Sequence, residues 1–286
     1  MKKVLVFGEI IWDIFSDKAE IGGAPFNLSA HMSSLGLKVD MVSALGNDSL
    51  GKDARINLKK WNIGDKYVHT VNAPTGYCKV TLDETGRPSY ELADNVSYDN
   101  IPITETEGEY DALAFGSLAA RGETSLKALQ MLLKGKYETV FYDVNVRHPY
   151  FCSENAKKLI GYVDILKLSR EEAIFLELGS TPDDVCLNVL EKYNNVKQVL
   201  LTCDKDGAVL YHREKGKIFS QTPKSKPIST VGAGDSFSAC YLANHLNGVA
   251  PEICLDRAVI LSDYVVTKLG AVMKLPDDLK KKIKKY

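Results

Sequence analysis

The sequence has almost no excess of either charge, since 36 lysine and arginine residues oppose 37 aspartate and glutamate residues in a chain of 286. Without a net basic field, a protein is not drawn by long-range electrostatics to nucleic acid or to an anionic membrane. We therefore expect neither partner. With 45% hydrophobic and 26% charged residues, the composition also excludes a disordered or collagen-like chain, and small-molecule ligands are the better expectation.

Paired cysteine motifs are missing as well. The six cysteines are widely spaced, with no C-x-x-C pair and no histidine at zinc-finger spacing, so we expect reduced thiols. The first apolar run is too short for the hydrophobic region of a secretion signal and is interrupted by Glu9 and Asp13. We therefore expect a cytoplasmic protein.

Two common nucleotide-binding motifs are absent or incomplete. No G-x-G-x-x-G segment occurs, which removes the usual sign of a dinucleotide-binding dehydrogenase. Gly46, Gly51 and Lys52 have the spacing of a P-loop, but that motif needs serine or threonine next, and Asp53 stands there. We interpret this segment as a turn followed by a helix start.

Short apolar runs alternate with segments of helical periodicity along most of the chain. The predicted strands lie at residues 3–7, 39–45, 112–115, 139–143, 164–168 and 198–203, and the predicted helices at 25–36, 50–61, 233–245 and 251–268. This alternation predicts a parallel sheet covered by helices. The chain length agrees with one large α/β domain, with or without a small accessory domain.

Residues 75–92 depart from this alternation. Polar and apolar residues alternate from Tyr77 to Leu82, turn-forming residues follow at 83–88, and a second short run ends at Leu92. The pattern predicts a β-hairpin. A hairpin inserted into an α/β fold often closes over a ligand, so we interpret it as a small antiparallel flap.

The segment 230–235 (Thr-Val-Gly-Ala-Gly-Asp) is the strongest chemical signal. Small residues directly before a helix leave backbone N–H groups free to converge on an anion, and the helix dipole favours negative charge there. Asp235 is also a good residue for a helix start, so a glycine-rich turn with a cap is the structural alternative.

Two further segments offer polar groups near the N-terminus. In residues 22–27 (Gly-Gly-Ala-Pro-Phe-Asn), the paired glycines allow a close approach to a ligand, and Asn27 can both donate and accept. The alternative is a turn with a helix cap. Asp13 follows the first strand, at the carboxyl end where α/β sheets bind ligands.

Taken together, these segments resemble the ribokinase-like (PfkB) sugar kinases. Residues 22–27 are similar to the N-terminal signature of that family, and residues 230–235 are similar to its C-terminal signature. Residues 46–51, 143–147 and 202–207 fall where members carry similar segments. The resemblance therefore runs in order through nearly the whole chain.

The resemblance implies a single domain over residues 1–286 with a three-layer, Rossmann-like α/β core and a small antiparallel β lid. The lid would be built from segments near 10–22 and 72–100. It also implies phosphorylation of a sugar hydroxyl by ATP with Mg²⁺. Lids in this family often pair between subunits, which makes a homodimer through the lid an expectation.

The resemblance also assigns roles to residues. Asp235 would be the general base that removes the proton of the sugar hydroxyl. The backbone amides of Gly232, Ala233 and Gly234 would hold the developing negative charge. The sugar would be bound by Asp13, Gly23, Asn27 and Arg147.

The nucleotide would contact Ser169, Thr202, Asp204, Gly207 and Gly234. Glu172 would help to organise Mg²⁺ indirectly, and Ser229 would lie beside a loop that binds a monovalent cation. We expect structural roles for the five histidines.

Three of these residues depart from the family pattern. Ser169 replaces the asparagine of an N-x-x-E pair, Asp204 replaces a glycine, and Ser229 replaces an aspartate. Because a hydroxyl brings no negative charge to a cation site, we expect activation by potassium to be weak. Since Asp235 and the sugar-side residues are intact, we expect a working kinase with altered nucleotide or cation handling.

Fructose is the expected acceptor, because Gly-Gly-Ala-Pro together with Asp-x-Asn-x-Arg resembles fructokinases. The main alternative is a 2-keto-3-deoxygluconate kinase, in which Arg147 would pair with the sugar-acid carboxylate. A nucleoside kinase is a third possibility. A non-catalytic sugar sensor or interaction module on the kinase fold is a hypothesis of a different class, supported by the nucleotide-side departures alone.

Overall fold

The computed structural model describes residues 1–82, 88–223 and 225–284 of the chain. The strands in these residues are β1 (Lys3–Phe7), β2 (Ile11–Ile14), β3 (Ala19–Gly22), β4 (Lys38–Gly46), β5 (Ile63–Val71), β6 (Gly76–Leu82), β7 (Pro88–Leu92), β8 (Ala112–Gly116), β9 (Thr139–Asp143), β10 (Ile165–Ser169), β11 (Gln198–Thr202), β12 (Ala208–His212) and β13 (Gly216–Ser220). The helices are α1 (Ala24–Ser34), α2 (Ser49–Lys60), α3 (Glu123–Leu132), α4 (Ser153–Ile160), α5 (Arg170–Phe175), α6 (Pro182–Lys192), α7 (Ala233–Leu246), α8 (Pro251–Val266) and α9 (Asp277–Ile283).

The described residues form a main sheet of nine strands in the order β13-β12-β11-β10-β9-β8-β1-β4-β5. Every neighbouring pair from β11 to β5 is parallel. The two remaining strands, β12 and β13, extend the sheet as an antiparallel edge. The predicted parallel sheet is therefore confirmed over most of its width.

Helices cover both faces of this sheet. Successive side chains of a strand point to opposite faces, and in β1 Leu5 and Phe7 belong to one buried cluster while Val4 and Val6 belong to the other. Helices α3 to α6 pack in the first cluster, and α1, α2, α7 and α8 pack in the second. The three-layer α/β architecture is confirmed.

A second, smaller sheet has the order β3-β2-β6-β7. Strand β2 pairs antiparallel with β3, and β6 pairs antiparallel with β7, but β2 and β6 are parallel to each other. Both β2 and β6 follow strands of the parallel main sheet and leave it at the same edge, so they run in one direction. The sheet thus joins two antiparallel pairs. Residues 83–87 of the turn predicted at 83–88 lie outside the described residues.

Strands β5, β12 and β13 were not predicted, and no bounds were predicted for helices α3 to α6. β13 is mostly exposed and lacks a continuous apolar run, whereas β12 (Ala-Val-Leu-Tyr-His) has such a run. The helices predicted at 25–36, 50–61, 233–245 and 251–268 correspond to α1, α2, α7 and α8 within about two residues at each end.

Asp48 organises the segment that has the glycine spacing of a P-loop. Its Oδ1 accepts hydrogen bonds from the amide of Gly51 (2.8 Å) and from Oγ1 of Thr75 (2.7 Å), while Oδ2 accepts from the amide of Thr75 (2.8 Å). A Cβ on Gly51 would collide with the carbonyl oxygen of Gly46, so this approach needs glycine. The segment is a capped helix start that ties α2 to the chain entering β6.

Asp48→Ala removes the cap of α2 and both bonds to Thr75. We expect the free energy of unfolding to fall by about 2–4 kcal/mol, because a cap contributes about 1 kcal/mol and a hydrogen bond to a charged group about 1.5–3 kcal/mol. Chemical denaturation measures the loss. The exposed Asp53 of the same helix is the control, and Asp53→Ala should change stability by less than about 0.5 kcal/mol. An equal loss in both variants would contradict the anchoring role of Asp48.

Candidate active site

Asp235 and Asn27, which lie 208 residues apart in the chain, meet at the carboxyl edge of the main sheet. The Nδ2 of Asn27 in α1 donates a hydrogen bond to Oδ2 of Asp235 in the first turn of α7 (2.8 Å). Within the described residues, Oδ1 of Asp235 has no hydrogen-bond partner. One oxygen of this carboxyl is therefore fixed, and the other is available to a ligand.

Burial and nearby cations have opposite effects on the pKa of Asp235. Burial raises the pKa of Asp235, whereas the hydrogen bond from Asn27 and the positive charges of Lys167 and Arg147 lower it. A carboxylate in this setting remains able to take a proton.

The predicted anion hole lies at the start of α7. Gly232 has a left-handed backbone with φ of 78°, and α7 has no side-chain cap. The first amides of a helix lack partners within the helix, which leaves the amide of Gly234 at this end. The amide of Ala233 instead donates to the carbonyl of Thr230 (3.2 Å), so one of the three predicted donors is already engaged.

Lys167 lies beside this helix start and was not predicted. Its Nζ forms an ion pair with Oδ1 of Asp143 (2.9 Å), and Oδ2 of Asp143 accepts from Oγ of Ser238 (2.9 Å). A Cβ on Gly234 would lie 3.2 Å from this Nζ. Burial opposes the charge of Lys167, but Asp143 and neighbouring carboxylates hold its pKa above the ordinary value.

Glu9 is a second residue that the sequence analysis did not assign to the site. Only 2% of its surface is exposed, and its carboxylate accepts from the backbone amide of Ala24 at the start of α1. Burial raises the pKa of Glu9 to about 7, against the opposing effects of hydrogen bonds and of Arg147. The side chain therefore sits buried at the edge where Asp235 and Arg147 also lie.

Asp13, Glu20 and Arg147 complete this side of the site. In the second sheet, Asp13 of β2 pairs in register with Glu20 of β3 and with Cys78 of β6. Burial and the charge of Glu20 raise the pKa of Asp13, and Arg147 lowers it. The exposed Arg147 is thus close enough to influence Glu9, Asp13 and Asp235.

Three buried polar atoms here lack hydrogen-bond partners in the described part of the chain. They are Oδ1 of Asn27, Oε2 of Glu9 and Oη of Tyr98. Glu9 and Tyr98 interact electrostatically, and Asn27 contacts Asp235. Because buried polar groups are nearly always satisfied, this grouping indicates a place where a polar ligand or water binds.

Ser169 and Glu172 form a reciprocal cap at the start of α5. Oγ of Ser169 accepts from the amide of Glu172 (3.1 Å), and Oε2 of Glu172 accepts from the amide of Ser169 (2.8 Å). The other oxygen of Glu172 accepts from the amide of Val146 (3.1 Å). Glu172 therefore ties the segment that carries Arg147 to α5.

The remaining predicted nucleotide residues lie at the end of β11. Thr202 closes that strand, Asp204 has a φ of 49°, and Gly207 has a φ of 121° in contact with Ser220. Ser229 lies elsewhere, with its amide bonded to the carbonyl of Val266 (3.1 Å) and its Oγ accepting from the amide of Val231 (3.3 Å). Among the described residues, no hydrogen bond or ion pair joins these four residues to Asp235.

Residues 1–278 match the pfkB family of carbohydrate kinases. The chain belongs to this family. It is 29% identical over 306 residues to an ATP-dependent 6-phosphofructokinase of Thermoanaerobacterium thermosaccharolyticum, covering 96% of this chain and 91% of that protein. It is 28% identical over 270 residues to probable fructokinase-5 of Arabidopsis thaliana, covering 84% of this chain and 82% of that protein.

The fold of this pfkB kinase is shared with solved structures. A putative ribokinase II from E. coli, in its apo form, matches with a TM-score of 0.87 at 19% identity and covers 100% of both chains. At this identity the likeness establishes the ribokinase-like fold alone. The family itself establishes a sugar kinase that uses ATP and a divalent metal ion.

Among the residues that the structure describes, no helix is both long and apolar enough to cross a membrane.

Sequence reasoning found the motif residues of this pfkB kinase but missed Glu9 and Lys167. Lys167 had a detectable signal, because lysine inside an apolar strand, Ile-Leu-Lys-Leu, is almost never buried without a partner. Glu9 gave a weaker signal, since a single carboxylate after a strand is common in exposed loops. Its burial depends on α1 covering it.

We expect the substitution Glu9→Gln to stabilise the protein, relative to wild type, by an amount that grows as pH rises. Burial raises the pKa of Glu9 to about 7, above the ordinary 4.5, so the contribution of Glu9 to stability is fully present below pH 4.5 and is lost as pH rises to and through 7. Glutamine does not titrate. We expect the difference in unfolding free energy between Glu9→Gln and wild type to widen by about 2 kcal/mol from pH 5 to pH 8.

Urea denaturation at several pH values measures this difference. Glu154→Gln changes an exposed glutamate in α4 and should keep a constant difference from wild type. A gap for Glu9→Gln that stays flat across this range would show that Glu9 is ionised at little cost in the native protein.

Proposed function

We propose that this pfkB kinase transfers the terminal phosphoryl group of ATP to a hydroxyl of fructose. The carboxyl of Asp235, held by Asn27 at an uncapped helix start beside Lys167, carries the proposal. Phosphoryl transfer needs positioning and charge stabilisation more than covalent chemistry, and these groups supply both.

Asp235 acts as the general base. Asn27 holds Oδ2, so Oδ1 faces the acceptor hydroxyl and takes its proton as the oxygen attacks the terminal phosphorus and the bond to ADP, the leaving group, breaks. The raised pKa of Asp235 strengthens it as a base compared with an exposed aspartate, since a proton acceptor works best when its pKa is nearer the working pH.

Lys167 and the amide of Gly234 stabilise the phosphoryl group during transfer. The amide lies at the start of α7, where the helix dipole adds favourable potential for an anion, and Lys167 of β10 lies beside it. Asp143 keeps Lys167 charged while it is buried, so the cation is fixed before the substrate arrives. Such prearranged charge costs no reorganisation during the reaction.

Mg²⁺ fits this chain only as an ion carried largely by the phosphates of ATP. In the part of the chain that the structure describes, no group of three or more His, Cys, Asp or Glu side chains is arranged to hold a metal ion. Both oxygens of Glu172 already accept from backbone amides, which supports an indirect role. Bound with ATP, Mg²⁺ would neutralise phosphate charge, which agrees with its preference for few carboxylates plus substrate phosphates.

The sugar side favours a neutral acceptor. The carboxyl group of Asp13 interacts both with Glu20 and with Arg147, so a second phosphate or a carboxylate on the sugar would meet negative charge here as well as the cation. The unpaired atoms of Glu9, Asn27 and Tyr98 suit hydroxyl groups that donate and accept. Gly23, at φ of 100°, lets the chain pass close to Glu9.

The relatives support a fructose-derived acceptor and leave two alternatives. One relative carries a fructokinase name and another is a 6-phosphofructokinase, so fructose 6-phosphate is the second candidate, favoured by Arg147 alone. A 2-keto-3-deoxygluconate kinase would use Arg147 for its carboxylate. The paired Asp235 and the buried Lys167 weigh against a non-catalytic sugar sensor.

Five further expectations stay predictions. The second sheet would close over the sugar and exclude water, and it would pair between two subunits. Ser229, which offers a hydroxyl without negative charge, would leave potassium activation weak. Thr202, Asp204 and Gly207 would contact the nucleotide, and the protein would be cytoplasmic.

Asp235→Asn should keep the fold and the affinity for sugar yet lower kcat by about 10²–10⁴, the usual contribution of a positioned base. The amide still pairs with Asn27 but takes no proton. A coupled assay measures turnover, and calorimetry measures sugar binding. Asp53→Asn, remote in α2, is the control with unchanged kcat. Near-wild-type turnover in purified Asp235→Asn would remove this residue from the role of base.

Fructose should be the best acceptor in a panel with fructose 6-phosphate, 2-keto-3-deoxygluconate and a nucleoside. We expect kcat/KM for fructose to exceed the others by at least about tenfold, equal to about 1.4 kcal/mol. Arg147→Ala should reduce activity on the charged acceptors more than on fructose. A higher kcat/KM for fructose 6-phosphate or the sugar acid would reassign the substrate, and sugar binding without turnover would support a sensor.

A further inference from the structure

Helix α1 carries two polar side chains that face the catalytic region. Asn27 and His31 are four residues apart, so they lie on the same side of the helix. Asn27 contacts Asp235, and Nε2 of His31 lies 2.9 Å from the carbonyl oxygen of Ala271. Both contacts join α1 to segments more than 200 residues later.

His31 makes its contact as a neutral donor. A carbonyl oxygen only accepts hydrogen bonds, so the ring hydrogen is on Nε2. His31 has no exposed surface, and burial lowers its pKa to about 4. Its other nitrogen, Nδ1, is buried without a partner among the described residues. A buried nitrogen without a partner lowers stability. The favourable polar interaction of the imidazole is therefore its hydrogen bond to the carbonyl of Ala271.

Ala271 in turn lies against the start of α7. A Cβ on Gly232 would be 2.6 Å from the carbonyl oxygen of Ala271 and 2.7 Å from its Cα. Gly232 is the left-handed residue that precedes α7 and sets the direction of the amides that follow it. The carbonyl held by His31 therefore touches the residue on which the anion hole depends.

Ala271 belongs to a segment with little regular structure of its own. Residues 267–276 lie between α8 and α9 without helix or strand, and Leu269 is 80% exposed. Such a segment needs an external contact to hold one conformation. Val272, Met273 and Leu275 anchor the segment in the second core cluster, and His31 of the buried helix α1 adds the hydrogen bond to the carbonyl of Ala271 itself.

We propose that His31 is a positioning residue for phosphoryl transfer: it fixes the carbonyl of Ala271 against Gly232 and so couples the sugar-binding helix to the anion hole. The inference rests on the proposed function in one respect, that the start of α7 holds the transferred group. His31 touches no substrate. Its loss should therefore slow turnover and leave sugar affinity largely intact.

The experiment compares three variants in the full chain. His31→Leu fills the space without a donor, and His31→Gln places an amide N–H near the position of Nε2. His245→Leu is the matched control, since His245 is half-buried at the other end of α7 and its Nε2 lies 3.3 Å from Oγ1 of Thr139. Thermal unfolding confirms that each variant folds, and ¹⁵N NMR reports the tautomer of His31.

We expect His31→Leu to lower kcat by about 10–100-fold, the scale of a small misplacement of reacting groups. Its KM for the sugar should stay within about threefold of wild type, the pattern of an interaction that matters only in the transition state. His31→Gln should recover most of kcat, and His245→Leu should keep it. The NMR signal should show hydrogen on Nε2.

Four outcomes would overturn the proposal: unchanged kcat in His31→Leu, an equal loss in His31→Leu and His31→Gln, an equal loss in His245→Leu, or hydrogen on Nδ1. Failure of the proposed function looks different, because wild-type protein would then phosphorylate none of the sugars. The sugar used is whichever acceptor is best in the panel, so a change of substrate leaves this test intact.

Discussion

The hydrogen bond from Asn27 to Asp235 connects the two ends of the chain at the point where the chemistry is proposed to occur. It requires α1 and α7 to pack side by side with their first turns at the same edge of the sheet. In a fold of parallel strands and crossover helices, each helix runs opposite to its strands, so helix starts collect at the carboxyl edge. The main sheet therefore brings together two residues that the sequence separates by 208 positions.

The charges around this bond are divided between two regions. In the region proposed to bind the sugar, Arg147 interacts with Glu9 and Asp13, while in the region proposed to bind the phosphates Lys167 is paired with Asp143 beside the start of α7. Under the proposed function, the carboxyl groups would disfavour a charged acceptor, and the fixed cation at a helix start would favour the transferred phosphoryl group. The two regions would then offer opposite electrostatics to the two substrates.

The second sheet is tied to the core at both of its ends. Asp48 holds Thr75 directly before β6, and Arg121 donates to the carbonyl of Ala93 directly after β7. The guanidinium of Arg121 lies between the rings of Tyr98 and Tyr150, at 4.9 Å and 4.3 Å, and pairs with Asp99. The entry and the exit of the β6–β7 pair are therefore both anchored to core elements.

The sequence alone determined the features that depend on local geometry. Paired glycines, a proline at a helix start and a carboxylate after Gly-Ala-Gly restrict the backbone wherever they occur, so residues 22–27 and 230–235 could be recognised together with the three-layer fold. Only the tertiary structure decided the roles of Glu9, Lys167 and His31. Each is an ordinary polar residue in the sequence. Its pKa and its partners depend on other elements of the chain that bury it. Glu9 lies against α1, Lys167 lies beside α7, and His31 lies under the segment after α8. Because burial and electrostatic interaction depend on distance in space, no pattern of neighbouring residues specifies them.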